Sequence, residues 1–133
     1  MFNPLKLGNR KLLWHGSRFS NFVGILTNGM RIAPKEAPST GYNFGKGVYY
    51  ADMASKSSGY CCTYLSKGVG LLLLCEVALG EARQLESTDC HAEDHLPKGK
   101  HCTHAKGRVQ PDPSGSKFIE KDLEVPMGKL KDV

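Results

Sequence analysis

The sequence predicts an α+β fold, or a mixed sheet, with short helices between short strands. Three observations carry this. Apolar runs are short and alternate with segments rich in glycine and proline. One run, residues 69–80 (VGLLLLCEVALG), is long and apolar enough for a core strand. A stretch with helical spacing, residues 20–29 (SNFVGILTNG), follows the first strand candidate. At 133 residues the chain suffices for one domain with one core.

In order, residues 11–15 (KLLWH) read as a short buried strand. In 20–29, Ser20 or Asn21 caps a helix whose inner face holds Phe22, Val23, Ile25 and Leu26, with Gly29 at its end. Residues 33–47 hold two prolines and three glycines and read as loop. Residues 48–51 (VYYA) are β-prone and read as a second strand. Residues 52–62 (DMASKSSGYCC) read as a helix capped by Asp52 and weakened by Gly59. Residues 69–80 read as a strand buried on both faces. Residues 81–117 are polar and read mostly as loop, and 118–125 (FIEKDLEV) as one or two strands around a turn.

The formal charge of +5 and the pI near 9.0 favour contact with polyanions, though no block of basic residues stands out. No apolar run approaches the ~20 residues of a membrane helix, and the first residues (MFNPLKLGNRK) lack the zones of a signal peptide. The expectation is a soluble intracellular protein with no membrane contact. The five cysteines are odd in number and none has CxxC spacing, which favours reduced thiols. Cys75, inside the apolar run, should behave as a small buried hydrophobe.

Groups able to bind a ligand recur at element ends. His15, Gly16 and Ser17 follow the first strand. Gly45, Lys46 and Gly47 precede Tyr49 and Tyr50. Ser57 and Tyr60 lie three apart on the second helix and share a face there. If the two strands are neighbours, these groups meet in a cleft with aromatic walls, an imidazole, two hydroxyls and exposed backbone. Such a cleft suits a flat heteroaromatic ring bearing a carboxamide, with a sugar nearby. Each piece also has a plainer reading. A histidine after a strand is commonly structural, one of two adjacent tyrosines packs inward, and GKG is a turn without the spacing of a phosphate-binding loop.

Taken together, NRKLLWHGSR, GILTNGMRIAPKEAP, GYNFGKGVYYADMASKSSGYC, EVALG and LPKGKH resemble the catalytic domain of poly(ADP-ribose) polymerases, most of all the DNA-damage-dependent nuclear members. The resemblance runs from about Phe2 to Gly128. It implies an ADP-ribosyltransferase fold of mixed, mainly antiparallel sheets with short helices around an NAD cleft. It implies transfer of ADP-ribose from NAD to protein acceptors, including the enzyme itself, with release of nicotinamide. His15 would then bond ribose hydroxyls, and Tyr49 would line the nicotinamide pocket; these match the first two members of the family's His-Tyr-Glu set. Gly16 would hold the carboxamide through its backbone, Ser57 would donate a hydroxyl to it, and Tyr60 would stack on the ring. Ser17 and Arg31 match positions near the adenosine half. Tyr42 and Lys46 match positions around the nicotinamide pocket and the acceptor-side loop.

Loss of nicotinamide leaves an oxocarbenium-like sugar that needs a carboxylate nearby. The family's glutamate lies in a YNEY-like strand near its C-terminus, which this sequence does not contain. Glu120 and Glu124 match an outer region and are assigned no such role. The expectation is therefore a partial catalytic domain over 1–133, without the helical regulatory domain or the C-terminal strands, that transfers poorly or not at all. Asn43 stands where close relatives carry Met, which bears on acceptor choice. Nuclear location, and DNA contact only through other domains, follow from the resemblance alone. Two alternatives remain. One is a catalytically dead relative that binds NAD or ADP-ribose. The other is a zinc-binding interaction module over 90–104, with Cys90, His91, His95, His101, Cys102 and His104 as ligands; the catalytic-domain reading includes no metal. Nucleic acid should bind only weakly and salt-sensitively, since no recognition motif is present.

Overall fold

A single helical turn, α1 (Pro4–Leu7), leads into the strand on which the rest is arranged. The computed structural model describes residues 3–37 and 41–133. β1 (Arg10–Gly16) pairs antiparallel along its whole length with β2 (Leu72–Ala78), from Arg10 opposite Ala78 to Gly16 opposite Leu72. Its other edge is shared. The first two residues pair in parallel with β7 (Leu123–Val125), and Trp14 bridges to Ala51. β6 (Lys117–Glu120) forms a hairpin with β7 and completes a sheet ordered β2-β1-β7-β6. Two ribbons flank it. β3 (Ala82–Leu85) runs parallel to β4 (Cys102–Ala105), and β5 (Val109–Pro111) antiparallel to β8 (Leu130–Asp132). The architecture is α+β with mixed sheets, as expected. No helix of the described residues is long and apolar enough to cross a membrane.

The buried apolar residues are Leu13, Phe22, Cys61, Ala92 and Leu123. α2 (Phe22–Asn28) follows a 3-10 turn at Phe19–Asn21 and is anchored by Phe22. The expected four-residue inner face is narrower in fact: Val23 and Leu26 are 77% and 72% exposed. A helix of seven residues touches the core over less than its full apolar arc. Asn21 is its N-cap residue but makes no side-chain capping bond, and Gly29 ends it with a positive φ of 75°.

Four expectations are corrected. Residues 48–51 form no strand beyond the Ala51 bridge: that antiparallel register sets Tyr49 opposite Gly16, and the Tyr49 carbonyl bonds the His15 ring instead. β2 is an edge strand, with Leu74 50% exposed, so it is not buried on both faces. Segment 81–117 holds three short strands, β3, β4 and β5, whose polar alternation hid them. α3 (Ala54–Ser58) starts after Met53, and Asp52 does not cap it.

Arg10 is the buried charge at the head of β1, 4% exposed. Its guanidinium donates to Asp122 (2.7 and 3.1 Å), to Glu120 (2.8 Å) and to Glu76. These acceptors come from the β6–β7 turn, the end of β6, and β2. Hydrogen bonding to Arg10 in turn holds the Asp122 carboxyl below its ordinary value. Asp89 is lowered from 3.8 to about 2, chiefly by the His95 ring N–H, then by the His91 backbone N–H and the Arg83 guanidinium. In both groups the folded pKa lies below the unfolded one. Their contribution to stability is therefore complete above roughly pH 5 and is lost as the pH falls through 4 towards 2. The expected result is a urea midpoint that is level from pH 7 to 5 and then declines, the decline being shallower in Asp89→Asn. A midpoint indifferent to acid would contradict it.

Candidate active site

The site begins with a strand that fails to continue. Trp14 exchanges both backbone bonds with Ala51, at 2.7 and 2.9 Å. In an antiparallel arrangement alternate residues face the same edge, so Gly16 faces this edge too, and Tyr49 is the residue the register sets opposite it. Gly16 and Tyr49 exchange no backbone bond. The Tyr49 carbonyl is taken instead by His15 Nδ1 at 2.7 Å. On this edge the N–H and C=O of Gly16 make no backbone bond to another segment among the described residues, and this stretch beyond the Ala51 bridge is the gap of the site.

A carbonyl only accepts, so His15 Nδ1 carries the ring proton and Nε2 presents a lone pair. The imidazole is held on its other side by the Tyr50 ring, 5.7 Å between centroids. Gly16 has no freedom to be another residue. A Cβ there would lie 1.9 Å from the Ser57 carbonyl oxygen. That closeness brings the end of β1 against α3, where Ser57 is buried. Ser57 Oγ donates to the Trp14 carbonyl at 2.9 Å. Its proton is therefore committed, and it offers lone pairs to an incoming N–H where a donor was expected.

Tyr60 lies beyond the end of α3, on a turn closed by its N–H to the Ser57 carbonyl (3.1 Å), and is 52% exposed. The expected helical face shared with Ser57 is thus not formed. Lys56, which sequence reasoning passed over, places its ammonium 5.7 Å from the centroid of that ring. Its spacing of four from an aromatic residue was the available signal.

The loop before Tyr49 is closed by its own side chains. The Tyr49 hydroxyl donates to the Gly45 carbonyl (2.5 Å) and accepts the Phe44 N–H (3.2 Å). Burial pushes its pKa up. The ring lies tilted against Tyr42, 6.2 Å between centroids and 41° between planes. Tyr49 therefore contributes a wall, with its hydroxyl turned into the loop. Lys46 bonds the carbonyls of Pro34, Lys35 and Ala37 at 2.5–2.7 Å. All three ammonium donors are used, and the lysine clasps the loop. A turn from 89 to 95 backs it. The Asp89 N–H reaches the Asn43 carbonyl at 3.0 Å, and Ala92 is fully buried. Gly45, buried with φ 74°, lies so close that a Cβ would meet Glu93 and the Ala92 N–H. This backing joins segments more than forty residues apart and left no local trace in the sequence.

Ser17 Oγ accepts from Asn21 Nδ2 at 3.0 Å, and Arg31 is exposed with no bonded partner among the described residues. Glu124 is engaged by Lys11 and Ser116. Glu120 is held by Arg10. Both lie at the opposite end of β1 from His15, roughly 13 Å along the strand for Glu124 and farther for Glu120 at the ordinary strand rise. Among the described residues no carboxylate hydrogen-bonds to His15, Tyr49 or Ser57. Nor do the cysteines and histidines of 90–104 converge: His95 bonds Asp89, His101 Nδ1 accepts the Glu81 N–H, and no three potential ligands gather to hold an ion among the described residues.

The chain is 54% identical over 129 residues to a Poly [ADP-ribose] polymerase of Drosophila melanogaster, covering 96% of this chain and 13% of that protein. It is 55% identical over 124 residues to Poly [ADP-ribose] polymerase 2-A of Oryza sativa subsp. japonica, covering 93% of this chain and 19% of the relative. It is 52% identical over 129 residues to Poly [ADP-ribose] polymerase 1 of Xenopus laevis, covering 96% and 13%. The chain thus spans between about an eighth and a fifth of the length of these relatives. The profile of the poly(ADP-ribose) polymerase catalytic domain matches residues 2–133, and the chain belongs to that family.

Proposed function

We propose that this chain carries the nicotinamide-binding part of an NAD-dependent ADP-ribosyltransferase. The observation that carries the reading is the unpaired donor and acceptor of Gly16, set between His15 and Ser57. A primary carboxamide needs one donor and one acceptor in one plane, and Gly16 supplies both. Ser57 Oγ accepts the second amide N–H. Tyr60 stacks on the ring, and Tyr49 and Tyr42 form the wall opposite. His15 Nε2 accepts from a ribose hydroxyl and fixes the sugar. Ser17, with Asn21, and the exposed guanidinium of Arg31 serve the adenosine half.

Held in this way, NAD has its ring immobilised while its ribose C1′ faces an acceptor. The C1′–N bond breaks with its electron pair passing to the ring nitrogen, and the acceptor's lone pair closes on C1′ as it loses a proton. A carboxylate that orients the acceptor is required. Glu120 and Glu124 are excluded by position, and we assign neither of them that role. Protein acceptors, the enzyme itself included, and a nuclear role in the DNA-damage response belong to the same proposal, supported by the resemblance to named polymerases.

Calorimetric titration of the purified chain with 3-aminobenzamide tests the pocket. Saturable one-to-one binding is expected. His15→Ala should leave it within about twofold, because the histidine serves the ribose, while weakening NAD about tenfold through a lost hydrogen bond. Equal weakening of both ligands, or no binding at all, would refute the assignment. Automodification with labelled NAD separates transferase from inert binder.

A further inference from the structure

Lys56 is an exposed cation with a definite position. It precedes Tyr60 by four residues, and its ammonium lies 5.7 Å from the ring centroid. It makes no ion pair among the described residues, in contrast to Lys46, whose donors are all engaged. One side of the Tyr60 ring therefore faces an uncompensated positive charge. The proposed function puts the nicotinamide ring on Tyr60, and this inference rests on that reading.

The charge on the bound ring changes during the reaction. In NAD the ring is a pyridinium bearing a formal positive charge. When the C1′–N bond breaks, both electrons return to the ring nitrogen, the ring becomes neutral, and the positive charge passes to the ribosyl carbon. An aromatic face attracts a cation, but one ring cannot serve two cations on its two sides without their repelling each other. We propose that Lys56 makes the Tyr60 wall selective by charge, opposing a pyridinium and accepting a neutral carboxamide ring. Lys56 acts through Tyr60, as a positioning residue. It raises the energy of bound substrate relative to the state in which nicotinamide has become neutral, so the repulsion is relieved as the bond breaks.

The test compares two ligands of nearly equal shape on the purified chain, neutral nicotinamide and cationic 1-methylnicotinamide, by ligand-observed NMR titration. In the unaltered chain the neutral ligand should bind more tightly. Lys56→Gln should tighten the cation about three- to tenfold and change the neutral ligand less than twofold. Lys56→Arg should keep the original ratio, and 1 M salt should shrink the difference between the unaltered chain and Lys56→Gln. A merely structural lysine would shift both ligands together. If nicotinamide binds and the ratio is the same in Lys56→Gln, the charge selectivity is refuted and the pocket stands. If nicotinamide does not bind the unaltered chain, the pocket assignment fails and this inference with it.

Discussion

Gly16→Ala is expected to abolish carboxamide binding and to destabilise the fold by about 3 kcal/mol. The added Cβ would sit 1.9 Å from the Ser57 carbonyl oxygen, 2.7 Å from its carbon and 3.2 Å from Leu72 Cδ2. Two of these atoms are backbone, so relief requires moving α3 or the end of β1. Either movement separates Gly16 from Ser57, the two residues that frame the gap. Thermal melting measures the first effect and 3-aminobenzamide titration the second. Gly24 is the control. It lies inside α2 with open space around its Cβ position, so alanine there should stabilise by about 0.5–1 kcal/mol and leave binding alone. A Gly16→Ala chain that melts normally and binds normally would overturn the close-contact account of the site.

Arg10→Met should lower the melting temperature by roughly 10 °C or more, the usual consequence of stripping the partner from charges gathered around a buried cation. The substitution keeps the aliphatic stem and leaves Glu76, Glu120 and Asp122 facing one another. The loss should be local in structure. Hydrogen exchange is expected to speed up most in β6 and β7, because the β6–β7 turn is tied to β1 through this guanidinium. Salt should restore part of the stability by screening the carboxylates. Acid should narrow the gap to the unaltered chain as they protonate. Exchange rates unchanged in residues 117–125 would show that strand pairing alone holds the hairpin.

Much of this was legible along the chain. Apolar content located β1 and β2, a turn between β-prone runs located the β6–β7 hairpin, and the groups of the site stood at the ends of these elements. Their identities pointed to a flat carboxamide ring before any contact was known. What failed to show follows one pattern. β3, β4 and β5 are short, mostly half-exposed, and lie beside partners that carry no apolar signal, so their alternation is faint. Lys46 and the Tyr49 hydroxyl resembled ligand groups by type, and each is in fact bonded to carbonyls of its own loop. Side-chain type constrains what a group can bond, and only its neighbours decide what it does bond.

The sequence alone settled that a histidine and a glycine end a core strand with a serine just after them, that tyrosines follow a glycine-rich loop, and that a serine on a short helix follows these. Those facts depend on local order and composition. The tertiary structure alone decided that residues 48–51 leave β1 after a single bridge. β7 holds the head of that edge, His15 captures the Tyr49 carbonyl, and Ser57 closes on Gly16 from a segment forty residues away. Strand pairing satisfies backbone groups wherever two chains run side by side, so a binding gap exists only where a third element draws one of them off. That competition is between distant segments, and no window of the sequence contains it.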